Sequence, residues 1–345
     1  MKYTKPFFIF GLLGALAFSV WTYQTEASEI ERFVAGAKEE GALSFYAQAQ
    51  LTSKGADALG RAFNKKYGLN IKMTFIPSAN MSRDVGAVVT RLASGLPPEW
   101  DLMAMPDSYH VSLMSRNMHR KFDYRKLGVD PKAIQFDNGT VSFAHGFVLP
   151  AYNTQILPAK DAPQKWEDVL QSKFSNGKLG VSNATHHFAR LAVGPWGEAK
   201  TTKFVKALAE QKPSLGRLQE LLTRLLIGEI LIAVDMKSSI FYKIAQGGAP
   251  IVQPDNFETI ILPATQAGVI KDTSHPNVAH LFAAFLTSPE AQSVWESYNG
   301  ESSAFLPGTP ANRFVQGKHV LFMEDKDAST VDKLSLQYGK ILGFQ

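Results

Sequence analysis

The chain has 345 residues, no cysteine and a formal charge of +5, with 45% of its residues hydrophobic and 19% charged. These values leave room for two compact domains and exclude a disordered, collagenous or coiled-coil chain. They also exclude a disulfide framework, a thiolate metal site and a cysteine-linked lipid anchor, and the mild positive balance lacks the basic, aromatic-interleaved stripe that nucleic acid requires.

Residues 1–27 read as a secretory signal peptide. Lys2 and Lys5 precede the apolar run Phe7 to Val20, and Thr25 and Ala27 take the small-residue positions of a cleavage site. The run is shorter than the roughly 18–20 residues that span a bilayer, so export, cleavage and a periplasmic location are expected. Ser28 and Glu31 have capping-box spacing ahead of a helix with the face Ile30, Phe33, Val34 and Ala37, which stops at Gly41.

ALSFYAQAQ then reads as a strand ending in Gln48, Ala49 and Gln50. A helix through Ala56, Leu59, Phe63 and Tyr67 stops at Gly68, and NIKMTFIPSAN is the next strand. A helix over 82–93, the breaker run SGLPPEW and a strand from Asp101 to Met105 make a third unit. KLGVSN, THHFARLAVGPWG and EILIAVDMKSS repeat the strand and helix order without any sequence repeat. This alternation predicts parallel βαβ units and an α/β fold. In LIAVDMKSSIFYK a buried strand from Leu231 to Val234 is predicted to end in Asp235, Met236, Lys237, Ser238 and Ser239, ahead of an amphipathic pattern from Ile240. Open α/β sheets bind ligands at such strand ends, where helix N-termini converge.

Three segments carry a resemblance. Tyr152, Asn153 and Thr154 in VLPAYNTQIL, then APQKWEDVLQSKFSNGKLGVSN over 162–183, then SHPNVAHLFAAFLTSPEAQ over 274–292 follow one another in the order found in bacterial extracellular solute-binding proteins, the soluble receptors of ABC importers. The subgroup that this chain most resembles contains ferric-iron-binding and phosphonate-binding receptors. The resemblance implies a type II two-lobed periplasmic binding fold. One lobe would comprise 28–147 plus 263–345 and the other 148–262, with a hinge near 146–152 and 260–264. It also implies closure of the lobes on a ligand, delivery to a membrane permease, and a monomer.

Ferric receptors of this kind hold the metal with two adjacent tyrosines, often with a histidine and a carboxylate, because hard Fe(III) asks for anionic oxygen ligands. Here the tyrosine positions fall on Ser238 and Ser239, the histidine position on Gln50, and the carboxylate position near Ala93 or Ser94. The departure implies no metal site and no cofactor. It points instead to a small anionic or polar organic solute, phosphonate-like or carboxylate, with a ferric chelate as the alternative. The candidate contacts are Gln48, Gln50, Ser78, Asn80 and Asp107 from the first lobe and Asn183, Thr185, Asp235, Lys237, Ser238, Ser239 and Tyr242 from the second.

Plainer readings stand beside these. Ser238 and Ser239 serve equally as helix caps, and Lys237 and Asp235 taken singly read as a surface charge and its partner. His186 and His187 are adjacent on a helix and lack a ligating neighbour at metal-site spacing, so they read as structural. Tyr152 and Asn153 read as hinge packing, Trp166 and Trp196 as core, and Glu324, Asp325, Lys326 and Asp327 as a solvated run. No G-x-S-x-G elbow, P-loop or HExxH helix is present, which argues against an enzyme. A secreted hydrolase is therefore the remotest alternative, and a receptor that presents its ligand to a membrane sensor is the nearer one.

Overall fold

The computed structural model describes residues 29–344. The expected signal peptide and the expected part of Ser28 in a capping box lie outside these residues. No helix among the described residues is long and apolar enough to cross a membrane.

Two mixed sheets organise the chain. The first contains β1 (Ala42–Ala47), β2 (Lys72–Pro77), β3 (Leu102–Pro106), β4 (Ile134–Gln135), β5 (Thr140–His145) and β12 (Ala264–Val269), in the order β2-β1-β3-β12-β5-β4. The second contains β6 (Val148–Asn153), β7 (Leu179–Ser182), β8 (Ser214–Gly216), β9 (Ile232–Lys237), β11 (Ile260–Ile261) and β13 (Val320–Leu321), in the order β13-β11-β6-β9-β7-β8, with β10 (Ile251–Val252) on β6. The predicted parallel pairing holds for β1 with β2 and β3 and for β7 with β8 and β9. It fails at β12 and β6, which run antiparallel to their main neighbours because each enters its sheet from the other lobe.

The helices of the first lobe are α1 (residues 29–40), α2 (Thr52–Tyr67), α3 (Met81–Ala93), α4 (Asp107–Met114), α9 (Pro276–Phe285) and α10 (Pro289–Asn299). Every residue of α9 from Val278 to Phe285 is buried, as expected of a helix that is apolar on all sides. Phe282 packs edge-on against Phe63 and Phe45 at ring separations of 5.1 and 5.0 Å. Glu40 closes the exposed end of α9 by accepting the backbone N–H groups of Asn277 and Val278.

The second lobe carries α5 (His186–Val193), α6 (Gly197–Glu210), α7 (Leu218–Leu226), α8 (Ser238–Gln246), α11 (Pro310–Val315) and α12 (Ala328–Leu342). Trp166 is fully buried in its core, and the indole N–H donates to the Thr259 carbonyl at 2.9 Å. The chain passes between sheets at Gly146–Phe147 and again at Leu262–Pro263, side by side, with the Gly146 N–H directed at the Pro263 carbonyl.

A third passage lies beyond α10, and it corrects the expectation that residues 263–345 stay together on the first lobe. Val320–Leu321 pairs with β11, and α12 packs on α5 and α6. The tail is held there by Val331, Leu334 and Tyr338, all buried in the core of the second lobe.

Candidate functional site

The carboxyl ends of the strands from both sheets meet across one compartment of about 590 Å³. The first lobe supplies Gln48, Gln50, Met81, Pro106 and Tyr109, and the second supplies Asn183, His186, His187, Arg217, Gln219, Glu220, Lys237 and Ser239. On the second lobe these residues belong to the first turns of α5, α7 and α8 or to the residues just before them. The positive ends of three helix dipoles therefore converge on the same space, with the Glu220 carboxylate accepting the Arg217 N–H at the start of α7.

Five of the twelve predicted contacts form this wall: Gln48, Gln50, Asn183, Lys237 and Ser239. The other seven have different positions. Asn80 caps α3, its side-chain oxygen accepting the Arg83 N–H at 3.1 Å. The Ser78 N–H donates to the Ala47 carbonyl, and Ser78 is not part of the wall. Thr185 is buried and donates to the Ser335 carbonyl of α12 at 2.8 Å. The Ser238 hydroxyl accepts the Phe147 N–H at 3.0 Å and so ties the start of α8 to the interlobe crossing. Tyr242 lies against Gly300, where an added Cβ would stand 2.2 Å from the tyrosine ring. Gly300 combines that close approach with a left-handed φ of +65°, which only glycine adopts freely.

Asp107 and Asp235 are the remaining two, and both turn away from solvent. β9 runs on through Asp235, Met236 and Lys237, three residues beyond the predicted strand end, because β6 pairs with it as far as Lys237. Asp235 thereby faces the sheet interior and accepts from the Ser182 N–H at 2.9 Å, from the Ser182 hydroxyl and from His187 Nδ1 at 3.2 Å. Burial holds His187 below the ordinary histidine range, and its bond to Asp235 only partly offsets that, so the ring is a neutral donor.

Asp107 meets a residue that sequence reasoning missed. Arg190 on α5 donates to it twice, at 2.9 and 2.6 Å, with both side chains buried. Burial pushes the Asp107 carboxyl up, but the guanidinium more than offsets this and holds it below the usual range. A second buried pair joins Lys237 of the second lobe to Glu301 of the first, at 2.6 Å. Glu301 also accepts from Thr265 at 2.7 Å, and Thr265 from Gln48 at 3.0 Å. Burial raises the Glu301 carboxyl, and the Lys237 charge with the Thr265 and Ser239 hydroxyls brings it below its ordinary value. The stem of Lys237 fits only because Gly146 has no side chain, since an added Cβ there would lie 2.5 Å from Cε.

The two ion pairs decide the electrostatics. Lys237 reaches the compartment already neutralised, His187 is uncharged, and Arg217 and Glu220 stand exposed at the rim. The wall therefore offers neutral donors: the amides of Gln48, Gln50 and Asn183, the Ser239 hydroxyl, and helix N–H groups. No group of three or more His, Asp or Glu side chains arranged to hold a metal ion occurs among the described residues. Tyr109, His186, Arg217 and Glu301 were not foreseen as site residues. Tyr109 and Arg217 open helices directly after strands, so the rule that supplied Gln50 and Asn183 had the means to find them.

Comparison with known proteins supplies the context. The family model of bacterial extracellular solute-binding proteins matches residues 44–298. The iron-bound HitA protein of Pseudomonas aeruginosa superposes with a TM-score of 0.68 at 16% identity, covering 88% of this chain and 99% of that one. Trichodesmium IdiA (FutA), in complex with iron and citrate, gives 0.70 at 16% identity over 88% of this chain and all of that one, 100%. An ABC transporter substrate-binding protein of Bradyrhizobium japonicum gives 0.70 at 18% identity, over 88% and 99%. At these identities the likeness shows the two-lobed fold. No curated protein sequence matches the chain.

Proposed function

The chain belongs to the bacterial extracellular solute-binding proteins, and from that premise we propose that it is the periplasmic receptor of an ABC importer for a small organic solute with an anionic head. The observation that carries this reading is the convergence of three helix N-termini with neutral amides and a hydroxyl on one interlobe compartment. Backbone N–H groups and helix dipoles stabilise negative charge without a free cation. In this reading the lobes turn about the two crossings near Gly146 and Pro263, close on the solute, and present it unchanged to a membrane permease.

A thermal-shift series of the purified protein against phosphonates, carboxylates, amino acids, ferric salt, citrate and ferric citrate tests this. A true ligand at a hundred times its dissociation constant adds about 2.7 kcal/mol to the folded state. Ser239→Ala should weaken that ligand about threefold to tenfold, the worth of one hydrogen bond. Ser238→Ala should instead lower the melting temperature and leave affinity alone. The reverse pattern would reassign Ser238 to the ligand. A second reading, capture of a ferric chelate, is favoured by the iron and citrate in the Trichodesmium structure; a shift with ferric citrate and none with citrate alone would establish it.

A further inference from the structure

Beside the polar compartment lies a second of about 350 Å³, and the two share Tyr109 and His186. Those two rings are the partition between them. The second compartment is also interlobe: α3 and α4 of the first lobe face α12 of the second across it. Its wall mixes aliphatic surface from Val85 and Val331 with Ser82, Ser108 and Asp332. Two further serines on this wall, Ser112 and Ser335, already bond to Arg116 and Thr185. Ser82, Ser108 and Asp332, with Tyr109 and His186 at the partition, are thus the polar groups left to meet a ligand.

Gly86 is a second, independent observation. It lies in the interior of α3, where glycine is the poorest helix former after proline, and its φ is not positive. An added Cβ would meet nothing within 4 Å. Neither the backbone nor the packing of α3 therefore asks for glycine. Gly86 is exposed, so what the missing side chain provides is open space at the mouth of this compartment.

We infer that the second compartment holds a hydroxylated carbon chain attached to the anionic head, so that the transported class is polyhydroxylated organic acids or polyol phosphates. Chain hydroxyls would bond to Ser82, Ser108 and Asp332 while C–H faces lie on Val85 and Val331. This rests on the head-group reading above, and the test separates the two.

Titration calorimetry of the parent protein and of Gly86→Leu would use acetate, hexanoate and gluconate together with inorganic phosphate and glycerol 3-phosphate. Gluconate or glycerol 3-phosphate should bind at least tenfold tighter than its bare head, as two or three added hydrogen bonds provide. Gly86→Leu should erase that gain while leaving the bare head's affinity unchanged. Gly86→Ala, melting no lower than the parent, serves as the folding control. Equal affinities for bare and hydroxylated probes, unmoved by Gly86→Leu, would overturn the inference and leave the head reading standing. Tightest binding of hexanoate would overturn the hydroxylated class in favour of a plain alkyl chain. No binding by any probe would overturn both readings.

Discussion

Replacing Arg190 with methionine should destabilise the protein by about 3–5 kcal/mol, the loss expected when one partner of a buried ion pair is removed. The Asp107 carboxylate would stay enclosed, with only the N–H groups of Ser108 and Ala264 beside it, at 2.7 and 3.3 Å. Adding Asp107→Leu to Arg190→Met should recover most of the loss, because two apolar side chains leave no stranded charge. Urea unfolding of both variants reads the difference. The result also reports on the lobes. Asp107 and Arg190 stand on different lobes, so a cost of about 1 kcal/mol or less, that of a solvated pair, would mean that the lobes are apart in ligand-free solution.

Acid should weaken the fold in two stages, with histidines first. His110 and His145 are buried, and burial pushes each down to about 4 from an ordinary 6.5. His110 Nε2 donates to the Gln266 carbonyl, so its Nδ1 accepts from His119 Nε2, both at 3.0 Å. The Ala304 N–H donates to His145 Nδ1, which leaves Nε2 to donate to Ser142. A second proton on either ring would replace an acceptor with a donor facing a donor. A depressed histidine favours the fold fully above pH 6.5 and loses its contribution as pH falls from there to about 4. Each contributes at most about 3–4 kcal/mol over that window. The carboxyls of Asp107 and Glu301, also depressed, keep their contributions above their ordinary values of 3.8 and 4.5 and lose them only below. Urea midpoints measured from pH 7 down to pH 4 should therefore fall well before the carboxyls titrate. A flat profile between pH 6.5 and 5 would falsify the neutral-histidine account.

Much of this was legible from periodicity. Apolar patterning and glycine stops placed β1, α2, β2, α3 and β3 within a few residues, because each element carries its own periodicity and its own stop within a short stretch of sequence. The places of Gln48, Gln50, Asn183, Lys237 and Ser239 on the compartment wall follow one rule, that loops after strands of a wound sheet face the cleft. The same rule misplaced Asp235, because β6 extends the pairing of β9 as far as Lys237. Arg190 escaped notice because its partner lies 83 residues away and nothing local marks a buried guanidinium. Glu301 carries no local signal within GESSAFLPGTP, and only the tertiary approach of Lys237 gives it a role. The tail was assigned to the first lobe by the resemblance, and the strand that pairs it with the second is only two residues long.

β12 has a bearing on the order in which the molecule forms. It sits between β3 and β5, with Thr265 opposite both Pro106 and Ala144, although the part of the second lobe from β6 to β11 is made before it. Until residues 264–269 arrive, the first sheet has a gap at its centre, and closing it means closing a loop of more than a hundred residues (Ala144 to Thr265). The central pairs of the second sheet, β7 with β8 and β9, need no such return. Hydrogen exchange pulsed during refolding should protect β7 and β9 before β3 and β5, and the opposite order would contradict it. A chain that emerges amino end first would thus keep the sheet of its first half unfinished until residues 264–269 arrive.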